Sequence, residues 1–378
     1  MHHPTTQRLQ GLDTLRACAI VLVLMTHYAG FVSRFPTFGP LGDAGWSGVT
    51  LFFVLSGYLI GNQLLAPVAR GEAWSLKTFF ARRLLRTLPN YYAVLAVYLL
   101  LPHSVISGRE TAPLWQFLSF TQNLGMAYGQ TFTHSWSLCI EEQFYLALPL
   151  AVLALARQGF NARLAWCALL GAFAFGVAMR ATAWLAHGHD AFAAEVYYAS
   201  LCRFGEMLPG VAIALLKNFH PAAFARLLRH ANALLAAGLA LAGGALYCVD
   251  EAVFGPFLTT SLVFPLAALA FGLLACAALA PHCLLNRVRV PGAASLALWS
   301  YAIYLVHKPL FMALRPQLER LGFDAGAPPV ILAVMAGGVA GGWLLYRLVE
   351  LPFMRLRERW APARPAPADG LRSLRPSA

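Results

Sequence analysis

The chain contains ten apolar segments, most of them long enough to cross the hydrocarbon core of a bilayer. A spanning helix needs about 20 mostly apolar residues, because each residue adds about 1.5 Å of rise. Backbone groups in lipid find no water, so such segments fold as helices that satisfy their own hydrogen bonds. The sequence therefore predicts an all-α, polytopic integral membrane protein with about ten transmembrane helices in one bundle. The segments are 14–32, 46–66, 88–103, 136–156, 163–186, 197–216, 230–248, 257–280, 293–314 and 328–349.

The composition supports lipid as the main surroundings of the chain. Charged residues make up 12% of the sequence and hydrophobic residues 59%. Soluble domains carry about 25% charged residues, so this composition excludes disorder and argues against an ordinary soluble enzyme. The seven cysteines form no CxxC pair, so neither a disulfide framework nor a metal site is expected.

The loops alternate in charge along the chain. Loops on one side hold 19 of the 28 Lys and Arg residues, and loops on the other side hold four. Cytoplasmic loops are enriched in Lys and Arg, so both termini are predicted to be cytoplasmic. We expect a cytoplasmic N-terminus at 1–13, a transmembrane domain at 14–350 and a disordered cytoplasmic tail at 351–378. The N-terminus shows no cleavable signal pattern, and the shorter stretch 114–124 is predicted to be re-entrant or interfacial.

Ionisable residues within the spans are the strongest functional signal in the sequence. A charge in the bilayer core is costly, so these residues are expected to face the bundle interior. Counting the helical rise from the predicted span ends puts most of them in one layer near the outer edge. Arg16 lies about 16 Å below His27 on the same helix, toward the cytoplasm. The layer comprises His27, Glu141, Glu142, Arg180, Arg203, His307 and Lys308.

Such a layer can do chemistry on a hydroxyl group. A neutral histidine beside a carboxylate can accept a proton, and the carboxylate then stabilises the imidazolium. Arginine or lysine nearby can hold an oxyanion or a sugar hydroxyl. The alternative is a set of buried ion pairs that only fixes helix packing.

The basic loop after the second span points to a phosphate-bearing ligand. Arg82, Arg83 and Arg86 fall at helical i, i+3/i+4 spacing and so share a face. Guanidinium groups match phosphate oxygens in pairs. Arg16 lies on the same side, slightly below the predicted surface. The alternative is a plain membrane anchor of the kind that cytoplasmic loops provide.

These residues resemble the acyltransferase-3 family of integral membrane O-acyltransferases over about residues 8–355. Thr50 stands where the family commonly has an aspartate, and Cys139-Ile140 replaces a more usual Ser-Val. Neither change removes a group expected to do chemistry. Four stretches carry the resemblance: Arg8 to Arg16 with His27 eleven residues later, Gly48 to Ile60, Arg82 to Arg86, and His134 to Tyr145. Two later stretches, Ser300 to Pro309 and Glu350 to Phe353, also resemble family motifs.

The resemblance implies transfer of an acyl group, usually acetyl, from cytosolic acyl-CoA to a hydroxyl on the outer side of a bacterial cytoplasmic membrane. It implies a carbohydrate acceptor such as polysaccharide, lipopolysaccharide or a lipid-linked sugar, and no nucleic acid. Acyl-CoA is then a substrate, and no permanently bound cofactor is expected. Because the chain ends soon after the tenth span, it is expected to be a stand-alone transmembrane module.

The resemblance also gives the residues roles. His27 is the expected base, oriented by Glu142 or Glu141, with direct transfer preferred over an acyl-enzyme on Ser137. The CoA phosphates are assigned to Arg16, Arg82, Arg83 and Arg86. Acceptor or supporting roles are assigned to Ser137, Trp136, Arg203, His307, Lys308 and Tyr145.

Three other functions are alternatives for a chain with this pattern of residues. The acceptor could be a small molecule such as a macrolide antibiotic. A polytopic transporter could use the same buried charges as a relay, although the sequence shows no repeat of the kind common in transporters. An inactive scaffold subunit is disfavoured by the presence of His27, Arg16 and Glu142.

Overall fold

The structure is a computed structural model, and it describes residues 10–72, 74–101, 111–190, 192–249 and 251–362. These residues are mainly helical and contain no strand. One main helix falls at each of the ten predicted segments. They are α1 (Gln10–Tyr28), α2 (Ser47–Ala69), α3 (Leu76–Leu100), α4 (Trp136–Arg157), α5 (Ala162–His187), α6 (Leu208–Phe219), α7 (Ala231–Tyr247), α8 (Glu251–Ala278), α9 (Ala293–Arg320) and α10 (Pro328–Leu345).

The fold of a polytopic membrane bundle is confirmed. Among the described residues, six helices are long and apolar enough to cross a membrane, namely α1, α2, α4, α5, α8 and α10. A seventh span is added if Ser200–Phe219 and Pro221–Arg229, which bend by 115°, are counted together. The remaining predicted spans fall on α3, α7 and α9. Of these, α7 is 17 residues long, and α3 and α9 carry several charges.

Burial separates inner helices from outer ones. Fourteen of the 23 residues of α2 are buried, whereas only Gly176 and Arg180 are buried among the 26 residues of α5. The exposed face of α5 carries large apolar side chains such as Leu170, Phe175 and Leu185. An apolar surface of this kind suits contact with lipid and not with water. The core of the bundle therefore lies around α2, and α5 lies at its rim.

Two boundaries differ from the predictions. The predicted loop 67–87 ends in helix, because Ser75 caps α3 by accepting a hydrogen bond from the backbone N–H of Thr78. The predicted tail begins with a further helix, α11 (Leu351–Trp360), which Arg82 of α3 holds through Glu358. Residues 363–378 of the predicted tail lie outside the described residues.

The predicted span 197–216 is broken in the structure. A π-helical turn (Phe192–Tyr197) leads into it. Its first half holds a short α-helix (Ser200–Arg203) and a 3₁₀ turn (Phe204–Met207), and only then does α6 begin. The short stretch 114–124 contains a six-residue helix, Leu114–Ser119, which is too short to span. Irregular backbone at membrane depth is tolerated where it is buried in protein.

Glycines allow α6 and the turn before it to touch α2. A Cβ atom on Gly57 of α2 would lie 2.0 Å from the backbone oxygen of Met207. A Cβ atom on Gly210 of α6 would lie 2.1 Å from the backbone oxygen of Val54. Backbone contacts this close need residues without a side chain.

We therefore expect Gly57→Ala to destabilise the protein by about 2 kcal/mol or more, because backbone cannot move aside as a flexible side chain can. Thermal unfolding of the detergent-solubilised protein measures this. Gly243→Ala is the matched control, because no described atom beyond its chain neighbours and its own helix backbone lies within 4 Å of the added Cβ. Equal melting temperatures for the two variants would contradict the close approach.

Candidate active site

One end of the bundle encloses a cavity of about 490 Å³, here called the outer cavity after the side predicted from the loop charges. The C-terminal end of α1, the N-terminal end of α4, and parts of α8 and α9 form its wall. Its lining is rich in aromatic side chains, including Phe31, Trp46, Tyr128, Trp136, Tyr197 and Phe264. His27, His134 and Lys308 bring nitrogen atoms to this wall. A cavity with an apolar lining and a few convergent polar groups is typical of a binding site.

His27 is bonded to a second histidine. Its Nδ1 lies 2.6 Å from Nε2 of His307, and the two rings lie edge to edge in nearly the same plane, with centroids 4.9 Å apart. Nδ1 of His307 lies 2.9 Å from the backbone oxygen of Ile303, which can only accept a hydrogen bond. Neutral His307 therefore carries its proton on Nδ1 and accepts through Nε2. This makes His27 the donor through Nδ1 and leaves a lone pair on its Nε2.

His134 is a third histidine beside this pair. Its ring centroid lies 6.3 Å from that of His27 and 5.5 Å from that of His307. Its Nε2 lies 3.0 Å from the backbone oxygen of Leu305, so Nε2 is the donor. Nδ1 is then an acceptor, and it is buried without a partner among the described residues. His134 thus offers an unused acceptor close to His27.

The other end of the bundle holds a second cavity of about 330 Å³, here called the inner cavity. Arg16, Arg83 and Arg86 line it together with Glu141 and Glu142. None of the three arginines forms a salt bridge with a residue that the structure describes. The guanidinium groups are therefore available to an anion.

Glu141 and Glu142 line the inner cavity, whereas His27 lines the outer one. Glu141 accepts hydrogen bonds from the hydroxyls of Tyr145 at 2.9 Å and Ser56 at 3.2 Å. The Arg83 guanidinium lies 3.7 Å above the centre of the Tyr145 ring. The predicted orientation of His27 by Glu142 or Glu141 is therefore wrong. Both glutamates lie more than one helical turn beyond Trp136, on a face of α4 that meets α2 and α3.

Arg82 points away from the inner cavity. Its guanidinium forms a salt bridge of 2.9 Å with Glu358 of α11 and donates to the backbone oxygen of Ala361. The prediction that Arg82 joins the phosphate-binding group is therefore not supported by its position. Arg83 and Arg86 lie on the cavity face of α3, and Arg82 lies on the face toward α11.

A third group of charges lies sealed in the bundle. Arg203 and Glu206 are fully buried and form an ion pair, and Thr50 donates to Glu206 at 2.7 Å. The Arg203 guanidinium also lies 4.9 Å from the ring centre of Trp136 and 4.1 Å from that of Phe264. Since both rings line the outer cavity, the ion pair supports its wall from behind. Thr50, which stands where the family commonly has an aspartate, thus donates a hydrogen bond to the carboxylate of this ion pair.

Arg180 is buried next to the sealed pair. It donates to the backbone oxygens of Cys202 and Ser261. The structure therefore divides the predicted single layer into three groups, which are the outer cavity, the inner cavity and the sealed pair with Arg180. The depth of a residue along its helix does not separate these three groups, because it does not reveal toward which neighbouring helix the side chain points.

A thin wall separates the two cavities. Ser137 and Tyr304 line the inner cavity, and His134 and Trp136 line the outer one. The Ser137 hydroxyl lies 2.7 Å from that of Tyr304, and Tyr304 donates to the backbone oxygen of His134 at 2.6 Å. Sequence reasoning missed Tyr304 and His134 as site residues. Both lie in stretches that resemble family motifs, which was the available signal.

The comparison with protein families decides the assignment. The model of the acyltransferase-3 family, described as an acyltransferase domain, matches residues 9–347. The chain belongs to the acyltransferase-3 family. No solved structure matches it.

The curated relatives that resemble this acyltransferase-3 chain are named O-acetyltransferases. It is 29% identical to the putative peptidoglycan O-acetyltransferase YrhL of Bacillus subtilis, over 84% of this chain and 51% of the relative. It is 28% identical to the peptidoglycan O-acetyltransferase OatA of Listeria monocytogenes, over 56% of this chain and 34% of the relative. The O-acetyltransferase OatA of Staphylococcus aureus is 32% identical over 38% of this chain and 24% of its own length. The chain thus spans about half or less of the curated relatives it matches.

The hydrogen bond between the two histidines gives a prediction that does not depend on activity. In ¹⁵N-histidine-labelled protein, the nitrogen shifts of His27 should report a proton on Nδ1. His307→Ala removes the acceptor, so His27 should lose this fixed tautomer. His230→Ala, a change at an exposed residue, is the control. Unchanged His27 nitrogen shifts in His307→Ala would show that His307 does not set the tautomer.

Proposed function

We propose that the protein is a membrane O-acyltransferase that moves an acyl group, most simply acetyl, from cytosolic acyl-CoA to a hydroxyl of an extracytoplasmic carbohydrate. The observation that carries the proposal is the His27 imidazole, fixed by His307 with a free Nε2 lone pair on the wall of an aromatic cavity. Membership of the acyltransferase-3 family supports the reaction class. The names of the relatives support acetyl as the acyl group and peptidoglycan as one carbohydrate acceptor.

The donor would enter from the inner cavity. Arg16, Arg83 and Arg86 line this cavity and form no salt bridge with a described residue, and their guanidinium groups suit the phosphates of CoA. Arg16 and His27 are eleven residues apart on α1, so about 16 Å separates the two levels. The pantetheine arm is the part of acyl-CoA that spans this distance. It has to pass the wall formed by Ser137 and Tyr304.

The acceptor would bind in the outer cavity. Sugar rings pack their apolar faces on aromatic rings such as Trp46 and Trp136, and their hydroxyls need acceptors and donors. The acceptor hydroxyl donates to Nε2 of His27.

Transfer then proceeds in one displacement at the thioester. His27 takes the proton of the acceptor hydroxyl as its oxygen attacks the thioester carbonyl, forming a C–O bond. The C–S bond breaks, and the imidazolium returns the proton to the leaving CoA thiolate. An acyl-enzyme on Ser137 is disfavoured, because the side-chain partner of Ser137 is the Tyr304 hydroxyl and not a histidine of the described chain.

The base assignment predicts that His27→Ala lowers transfer by about 10³-fold while the protein still inserts and folds. The assay measures radiolabelled acetyl transfer from acetyl-CoA to soluble peptidoglycan fragments by protein in nanodiscs. His230→Ala, at an exposed position, is the matched control and should keep wild-type transfer. Wild-type transfer by folded His27→Ala would overturn the assignment. Flux of acid or sugar without acyl-CoA would favour a transporter instead.

The two faces of α3 give a paired prediction for the donor site. Arg86→Gln should raise the KM for acetyl-CoA about tenfold with a smaller change in kcat, because it removes a charge that contacts a phosphate. Arg82→Gln is the control, since Arg82 is bound to Glu358 and turned away from the inner cavity. The same rise in both variants would mean that the inner cavity does not hold the phosphates.

A further inference from the structure

We propose that Lys308 is the specificity residue of the outer cavity and that it binds a carboxylate carried by the acceptor sugar. The proposal rests on the function proposed above and narrows it to an acidic acceptor. Its basis is the position of the Lys308 ammonium, which is buried, faces the cavity beside His27 and has no counter-ion among the described residues.

Lys308 is 6% exposed and lies one residue after His307 on α9. The Lys308 Nζ atom lies 4.5 Å from the ring centre of Phe31. No described carboxylate forms a salt bridge with it, and no described Asp or Glu lines the outer cavity. A buried cation with only an aromatic partner is poorly compensated, because a cation–π contact is weaker than a charge pair.

Other buried cations near this cavity are compensated within the protein. Arg203 is paired with Glu206 behind the wall, and Arg180 donates to backbone oxygens. Lys308 differs from both, because it is on the wall itself and reaches the cavity space. Among the described residues that line the outer cavity, Lys308 carries a charge without a counter-ion, and a ligand in the cavity can neutralise it.

The neighbourhood of His27 favours an anion on the acceptor itself. A cation beside an imidazole opposes the positive charge that the imidazole gains when it takes a proton. A bound carboxylate neutralises Lys308 and removes this opposition. Binding of an acidic acceptor therefore makes it easier for His27 to take up a proton, whereas binding of a neutral acceptor does not. A single negative charge matches a single ammonium, which favours a carboxylate over a dianionic phosphate.

The test compares two probes that differ only in charge, methyl glucuronide and its carboxamide. Isothermal titration calorimetry without acyl-CoA measures their binding to the full chain in nanodiscs. Wild type should bind the acid about tenfold more tightly than the amide, because one buried charge pair is gained. Lys308→Met should bring the two affinities together, and Lys308→Arg should keep most of the difference. Arg320→Met, an exposed cation on the same helix, is the matched control.

Equal affinities in wild type, no binding of either probe, or a preference that survives in Lys308→Met would each overturn the proposal. A further variant, Asp250→Asn, tests whether the chain itself supplies a carboxylate to Lys308. Asp250 lies outside the described residues and follows Val249, which lines the cavity. This variant should leave the preference unchanged. A preference that increases in Asp250→Asn would mean that the chain supplies its own counter-ion, and this result would also overturn it.

Transfer assays with the same probes separate this proposal from the function on which it rests. The ratio of kcat/KM for the acid over the amide should fall about tenfold in Lys308→Met. An equal loss for both probes would assign Lys308 to the transition-state oxyanion and not to the acceptor. Selective binding of the acid without any acetyl transfer by wild type would instead count against the acyltransferase function.

Discussion

The cost of placing charge within a bilayer governs this structure. Ionisable side chains at membrane depth must face other groups of the protein or a cavity. The chain meets this requirement in two ways. Arg203 and Glu206 neutralise each other in a sealed pair, whereas Arg16, Arg83, Arg86 and Lys308 face cavities. The first arrangement stabilises the wall of the outer cavity, and the second leaves charge available for ligands.

The two cavities follow from how α1, α2, α4 and α9 meet. Gly57 and Gly210 let the backbone of α6 approach α2, which brings the broken segment and its ion pair under the aromatic wall. α1 carries Arg16 to one cavity and His27 to the other, so one rigid helix sets the distance between these two side chains. The thin contact between Ser137 and Tyr304 lies between these levels.

Much of the fold could be predicted from the sequence, because apolar length is a local property. The helices fall at the ten predicted segments, and Arg83 and Arg86 share a face as their spacing predicts. Three local predictions were wrong for reasons beyond the local pattern. Segment 197–216 breaks where it is buried in protein, residues 351–360 form a helix held by Arg82, and that contact turns Arg82 away from the inner cavity.

The sequence by itself determined the membrane environment, the helical fold, the family and the small set of polar residues that the bilayer confines to the interior. Only the tertiary structure decided which of them meet. It paired His27 with His307 and not with Glu141 or Glu142, and it added His134 and Tyr304 to the site. The physical reason is that rise along a helix gives the depth of a residue, whereas its partner depends on helix rotation and packing, which involve residues far apart in the chain.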